Sequence, residues 1–452
     1  MKTMRGSAIH VSLALALATA CERDDLAPFV PDPPELPSPP EPIAPRCGDG
    51  RANDDEVCLR SVSVLLPYAH EFIRYADFDG DGTRDFFAIN TFFQMFAAIF
   101  FTGEFDAGGP QGVTYAAFLD HDIFRAEVLD FDGDGRTDLV GATDFSYFPS
   151  DFQTSHMRLL AWRNVGDYKL TQAAMMMQVH FASFAAGDID GDGRTDLFAV
   201  AFPNSGFVWS HVPATDTIEI VSKLDLEPLQ IVGKPVVAAS DYNGDTHADF
   251  VLMDEAGHAW RIVGGPGHQL TILNPQASVV LTPASETLYA PDLDGDGITD
   301  LVAVRLALGG GGRVPTISLA LGQPDGGFDA LTSFDPGHDL TYFGGGFFGG
   351  LPVHNHLGFF DLDGSGQLAL VYAHRQQPEL VLHPRIAETL GAAPVVVPLD
   401  FPANSLFVDD FEGDGENAIY VTLTDRVKVE PSKQVPSGVL NTHYLVRFTP
   451  DP

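Results

Sequence analysis

The sequence predicts an all-β fold, a seven-bladed β-propeller, on three observations. A nine-residue acidic, glycine-containing segment recurs seven times along the 452 residues. Each copy leads into a short apolar run of β type. The stretches between copies are cut into strand-like pieces by Gly, Pro, Asn and Asp. Self-similarity at a steady period marks a repeat architecture, and such an array can exceed the usual size of one domain.

The copies begin at Asp77 (DFDGDGTRD), Asp130 (DFDGDGRTD), Asp188 (DIDGDGRTD), Asp241 (DYNGDTHAD), Asp292 (DLDGDGITD), Asp361 (DLDGSGQLA) and Asp410 (DFEGDGENA). Their starts lie 53, 58, 53, 51, 69 and 49 residues apart. Each interval has room for four short strands, such as 158–163 (RLLAWR), 206–209 (GFVW) and 259–263 (AWRIV). Four-stranded blades around an axis leave only short, protected edges.

The spacing inside each copy has a chemical cause. Carboxylates at positions 1, 3 and 5 point to one side when the chain curls tightly. Glycines at 4 and 6 permit that curl. A backbone carbonyl at 7 and a carboxylate at 9 can close a shell of hard oxygens, which is what calcium prefers. The EF-hand opens the same way but closes with Glu at position 12. Here Asp at position 9 runs straight into a strand (Asp138-Leu139-Val140, Asp196-Leu197-Phe198, Asp300-Leu301-Val302), so these are not helix–loop–helix units.

The expected ligands are Asp77, Asp79, Asp81 and Asp85 in the first loop, then Asp130, Asp132, Asp134 and Asp138 in the second. The third offers Asp188, Asp190, Asp192 and Asp196; the fourth Asp241, Asn243, Asp245 and Asp249; the fifth Asp292, Asp294, Asp296 and Asp300. The sixth keeps Asp361 and Asp363 but has Ser365 and Ala369 at positions 5 and 9. The seventh has Asp410, Glu412 and Asp414, with Ala418 at position 9. Five strong calcium loops and two weak or empty ones are therefore expected.

These positions hold 24 of the 62 acidic residues, against 25 basic ones, for a net charge of −37. Bound cations would offset the mutual repulsion. The same charge excludes nucleic acid and an anionic membrane surface as partners, because phosphate binding needs a basic face. The Phe-rich stretch 86–105 is the nearest approach to a membrane span beyond the N-terminus. Its Asn90, Gln94 and β-type residues predict two sheet strands instead.

Residues 1–20 carry Lys2 and Arg5, an apolar run and small residues, the pattern of a secretory signal. Leu17-Ala18-Thr19-Ala20-Cys21 resembles a bacterial lipobox, with Ala18 where that motif prefers Leu. The resemblance implies a lipidated Cys21, anchored in the bacterial envelope at the outer membrane or cell surface, with contact to the membrane through lipid only. The alternative is an ordinary signal peptide cleaved nearby. Residues 21–46 form a Pro-rich linker, with nine prolines between 28 and 45. As polyproline II it would span roughly 55 Å. Residues 47–60 form a small segment, C-G-D-G…E-V-C, that resembles one found near domain edges of secreted bacterial proteins. Export permits a disulfide, and Cys47 with Cys58 is the expected pair. Residues 61–452 are the propeller.

The stretch 184–197 (FAAGDIDGDGRTDL) resembles the FG-GAP/VCBS repeat of integrin α-chain propellers and bacterial surface proteins. Matching loops run over about residues 70–425. The resemblance implies a calcium loop between the first two strands of each blade and no single activity. The last loop is followed by strand-like 419–424 and 443–449, one strand short of a blade; 61–66 (SVSVLL) is the candidate outer strand.

No G-x-S-x-G, H-E-x-x-H or C-x-x-C occurs, and no catalytic constellation is recognised. His354-Asn355-His356 lies in the longest interval, beyond Gly309–Gly312 and the glycines of 344–350, and reads as a polar turn. The 305–357 insertion is the leading ligand-contacting segment. Trp162, Trp209 and Trp260 read as blade packing rather than sugar platforms, and Met175–Met177 as strand or core. The function expected is a recognition or adhesion scaffold for protein or glycan. The alternatives are a propeller-fold enzyme such as a polysaccharide lyase, or a spacer without a ligand.

Overall fold

A computed structural model describes residues 59–66, 72–78, 85–90, 96–102, 112–119, 123–144, 157–166, 169–178, 181–201, 204–276, 279–283, 285, 287–306, 315–324, 327–337, 340, 357–362, 364–374, 377–388, 393–409, 417–428 and 439–450. The described chain is an all-β propeller. Strand β1 is Leu59–Leu66. Then come β2 (Phe72–Ala76), β3 (Asp85–Asn90), β4 (Phe96–Thr102) and β5 (Gly112–Leu119), followed by β6 (Ile123–Leu129), β7 (Asp138–Asp144), β8 (Met157–Asn164) and β9 (Leu170–Gln178). The third group is β10 (Phe181–Gly187), β11 (Asp196–Ala201), β12 (Ser205–Val212) and β13 (Thr217–Asp225). The fourth is β14 (Val236–Ser240), β15 (Asp249–Met253), β16 (His258–Val263), β17 (Thr271–Ile272) and β18 (Val279–Val280). The fifth is β19 (Thr287–Tyr289), β20 (Leu301–Arg305), β21 (Thr316–Gly322) and β22 (Phe328–Phe334). The sixth is β23 (Leu357–Asp361), β24 (Leu368–Ala373), β25 (Glu379–His383) and β26 (Val395–Pro398). Last come β27 (Ala403–Asp409), β28 (Ala418–Lys428) and β29 (Val439–Pro450).

Each of these six groups forms one antiparallel sheet of strands consecutive in the chain. This corrects the expectation of seven like blades: six are continuous. The seventh loop has only three strands of its own, so its sheet is composite, in the order β1-β29-β28-β27. The pairing runs without a break from Leu59 opposite Pro450 to Leu66 opposite His443, so the start of the described chain supplies the outer strand, as expected from 61–66.

First strands of neighbouring sheets lie side by side, β2 with β6, β6 with β10, β10 with β14, β14 with β19, and β23 with β27. Burial follows position within the sheet. The second strands β11 (DLFAVA) and β15 (DFVLM) are buried at every residue, whereas the outer β13 is exposed or half-buried throughout. A strand covered on both faces reads as a continuous apolar run. The core therefore lies between sheets: Phe198 of β11 meets Phe250 of β15 with ring centroids 4.8 Å apart. Trp162, Trp209 and Trp260 are all buried, which supports blade packing. The first two are equivalent, each opposite the leucine that follows the closing aspartate, Leu139 and Leu197. Trp260 sits opposite Leu252, two residues further along its blade.

The Phe-rich stretch folds as β3 and β4, paired antiparallel. Met175–Met177 lies in β9. Among the described residues no helix is long and apolar enough to cross a membrane. The signal, the linker and Cys21, Cys47 and Cys58 lie outside the described residues. So do Gly309–Gly312, 344–350 and His354–His356. The described part of the 305–357 interval is largely ordinary blade, β21 and β22.

Candidate functional site

Every acidic loop with described flanks joins the first strand of a sheet to its second. The chain turns there because position 1 is an anion surrounded by its own backbone donors. Asp130 Oδ1 accepts from the N–H groups of Gly133 at 2.8 Å and Asp134 at 3.2 Å, and Oδ2 from Gly135 at 3.0 Å. Asp188 repeats this with Gly191, Asp192 and Gly193 at 2.8, 3.1 and 2.8 Å. Asp241 does so with Gly244, Asp245 and Thr246 at 2.9, 3.2 and 3.0 Å. Asp292 takes Gly295 and Gly297, both at 2.9 Å, and Asp361 takes Ser365 at 3.0 Å and Gly366 at 2.7 Å. Successive N–H groups aimed at one point form an anion-holding nest. The curl needs left-handed backbone at positions 4 and 6, as at Gly191 (φ +75°) and Gly193 (φ +88°). Thr246 holds φ +73° at position 6 of the fourth loop without being glycine.

Position 9 has a different task. Asp138 accepts from Phe131 N at 3.1 Å and from Asn164 N, at the end of β8, at 2.7 Å. Asp249 accepts from Tyr242 N at 3.1 Å and Gly264 N at 2.9 Å. Asp300 accepts from Leu293 N and Gly322 N, both at 2.6 Å. Each pins its loop to the third strand of its own sheet. Asp196 accepts from Ile189 N at 3.1 Å. All four are buried. Loss of water disfavours the charged form, and burial pushes Asp138 and Asp300 up to about 7 and Asp249 to about 6. Asp196 and Asp294 are raised by the same cause.

Positions 1, 3 and 9 converge. Ligand atoms of Asp130, Asp132 and Asp138 lie within 4.8 Å of one another, as do those of Asp292, Asp294 and Asp300; in the third loop it is positions 1, 3 and 5, Asp188, Asp190 and Asp192, that gather so closely. Asp190 Oδ1 is buried without a hydrogen-bond partner. Hard oxygens gathered at this spacing, with buried carboxylates above their usual range, fit a divalent cation such as calcium. Asp134 and Asp192 at position 5 also accept from the backbone of Arg136 and Arg194, both at 2.9 Å, and pair with those guanidinium groups. Asn243 bonds Asp245 within the fourth loop, at 3.0 Å through Nδ2, and Asp296 accepts from Ile298 N at 2.8 Å.

The loops also bond to each other. The N–H at position 8 donates to the carbonyl at position 1 of the preceding loop: Thr137 to Asp77 at 3.0 Å, Thr195 to Asp130 at 3.0 Å, and Ala248 to Asp188 at 2.6 Å. Leu368 donates to Leu293, one position further on, at 2.9 Å. A Cβ on Gly295 would lie 2.4 Å from the carbonyl oxygen of Gly366, so the fifth and sixth loops approach at a distance only glycine allows.

Four contributors have no signature in the loop spacing. Arg163 of β8 places Nε 2.9 Å from Asp132 Oδ2 and Nη2 2.8 Å from Asp216 Oδ1 in the next blade. The Arg163 hydrogen bond holds Asp216 well below the usual carboxylate range. Arg261 of β16 is buried between the rings of Tyr242 and Phe328, 4.1 and 4.0 Å from their centroids, and donates to the Thr299 carbonyl at 3.3 Å. Asn164 and His268 are the other two. A weak hint for Asn164 is its place at the strand exit W-R-N-V-G. Asp79 and Asp81 of the first loop, Asp363 of the sixth, and Asp410, Glu412 and Asp414 of the seventh lie outside the described residues. Asp77 and Asp85 flank the first loop, Asp85 opening β3.

Residues 130–199 match the family model of the FG-GAP-like repeat. The matched segment runs from the second loop through the third and into β11, in agreement with the resemblance read from 184–197. No curated protein matches the chain. Among solved structures, the crystal structure of Saccharomyces cerevisiae Sqt1 is similar over 83% of this chain and 83% of its own, at 10% identity and a TM-score of 0.48, a likeness too loose to inform function.

Proposed function

We propose that this chain is a calcium-stabilised β-propeller recognition scaffold, exported and lipid-anchored in a bacterial envelope, that presents the propeller to a protein or glycan. The observation that carries the metal part is the convergence of positions 1, 3 and 9 in the second and fifth loops, three carboxylates within 4.8 Å with one of them buried. Like charges so close repel strongly unless a cation sits among them. Asp130, Asp132 and Asp138, Asp292, Asp294 and Asp300, and their equivalents would hold the ion. Calcium supplies the positive charge that lets the buried carboxylates stay ionised. The FG-GAP-like match supports a repeat scaffold, and the Pro-rich segment behind Cys21 supports a tethered one.

The test is thermal unfolding of the full chain in calcium and in excess chelator. A ion that binds only the folded state raises stability, by about 2.7 kcal/mol per site at a hundredfold excess over Kd. A large, calcium-reversible drop in Tm is expected, and Asp190→Ala should lower the number of ions bound. An unchanged Tm would leave the loops as metal-free turns. Cys21→Ser should release the protein from the membrane fraction; retention there would remove the anchor.

A further inference from the structure

The third loop differs from the second and fifth in what its carboxylates face. In those two the converging groups all come from the loop itself. In the third, positions 3 and 9 converge with an imidazole from the next blade: Asp190 and Asp196 gather with His268 within 4.8 Å. His268 sits in the turn between β16 and β17. Its Nδ1 lies 3.3 Å from Asp190 Oδ2 and its Nε2 lies 3.3 Å from Asp196 Oδ1. Nε2 makes no hydrogen bond to that oxygen and is buried without any other partner, as is Asp190 Oδ1.

We propose that the third loop is a mixed nitrogen–oxygen site that takes a zinc-type divalent ion through His268 Nε2 and Asp196, with Asp190 orienting the imidazole. The inference rests on the reading of the loops as metal sites and changes which metal this one selects. All-carboxylate sets suit calcium, whereas imidazole suits zinc and its neighbours. Two ligands of a tetrahedral ion held at about 2.0–2.1 Å stand roughly 3.3–3.4 Å apart, the separation found between Nε2 and Asp196 Oδ1. Nε2 is then the ligand, and Nδ1–H is held by Asp190 Oδ2. A metal-bound histidine is commonly oriented by such a carboxylate on its second nitrogen. Asp190 therefore orients the ring rather than binding this ion. The same residue joins the Asp188–Asp190–Asp192 triad, so it links this position to the loop.

The full chain, saturated with calcium, is titrated with Co²⁺ as a coloured stand-in for zinc and then with Zn²⁺ in competition. One Co²⁺ with visible d–d absorption, displaced by Zn²⁺, is expected. His268→Asn should weaken it by more than about 100-fold, since even outer-shell changes cost 10–100-fold. Asn is chosen because it tolerates the left-handed backbone at this position, φ +60°. The calcium-dependent Tm should remain in that variant. No Co²⁺ bound above the calcium background, or equal binding in His268→Asn, overturns the proposal. A chain that binds Co²⁺ through His268 but gains no stability from calcium overturns the calcium reading and leaves this site standing.

Discussion

Asn164 is wholly buried and touches three elements at once: its backbone N–H donates to Asp138 Oδ1 at 2.7 Å, and its side-chain amide donates to the carbonyls of Phe78 and of Thr137. It thereby joins β8 to both the first and the second loop. Asn164→Ala removes that donor from the buried Phe78 carbonyl and the partly buried Thr137 carbonyl, which costs about 1–3 kcal/mol. Asn164→Asp is expected to be worse, because it turns an anion toward the same carbonyls. Urea denaturation checks both; midpoints equal to that of the unaltered protein would mean the bridge contributes nothing in solution.

Asp138 and Asp300 make the metal-free protein sensitive to pH in an unusual direction. Their folded-state values, about 7, stand above the ordinary aspartate value of about 3.9. Between those limits the folded state binds more protons than the unfolded one, so stability falls as pH rises. In chelator, the denaturation midpoint should therefore rise as pH is lowered from 7.5 to 5.5. In excess calcium the trend should reverse, because protons then compete with the ion for the same oxygens. Parallel slopes in the two buffers would show that calcium does not act through these carboxylates.

The parts of the site that were legible in sequence are those fixed within nine residues. Carboxylates and glycines at set spacing declare the curl of Asp188–Asp196, because the backbone donors Gly191, Asp192 and Gly193 to the Asp188 carboxylate all come from its own loop. The second strands were legible because burial on both faces requires unbroken apolar runs such as Leu197–Ala201. Arg163, Asn164, Arg261 and His268 act across strands or blades, at separations where no local periodicity survives. Trp260 shows the same limit: its strand was readable, but its two-residue offset from Trp162 and Trp209 depends on register. The composite sheet was legible only by counting strands after the seventh loop.

Thr246 holds a conformation its neighbours assign to glycine. A β-branched residue at φ +73° is strained, by about 1–3 kcal/mol. Its N–H still donates to Asp241 Oδ2, and glycine would keep that bond. Thr246→Gly also increases the freedom of the unfolded chain, which costs about 0.4–1 kcal/mol. A net gain of about 1 kcal/mol is expected by chemical denaturation in calcium. A loss would show that the threonine side chain contributes more than the backbone strain removes.

Ala369 stands at position 9 of the sixth loop, wholly buried, where the second to fifth loops have their pinning aspartate. The rest of the geometry is in place: Asp361 holds the turn through Ser365 and Gly366. Counting two residues past the pair Leu370–His383 puts Arg385 where Asn164, Gly264 and Gly322 stand in their blades. Ala369→Asp should therefore restore the missing carboxylate and add one bound calcium ion. The sign of its effect on stability separates a ligand from a steric intruder. A ligand raises Tm in calcium and lowers it in chelator, where the buried charge has no counterion. Simple overpacking of a filled core lowers it in both. Calorimetric titration for the ion count, beside Tm in the two buffers, distinguishes these; a drop in both with no added ion would mean the sixth loop cannot be rebuilt by this one change.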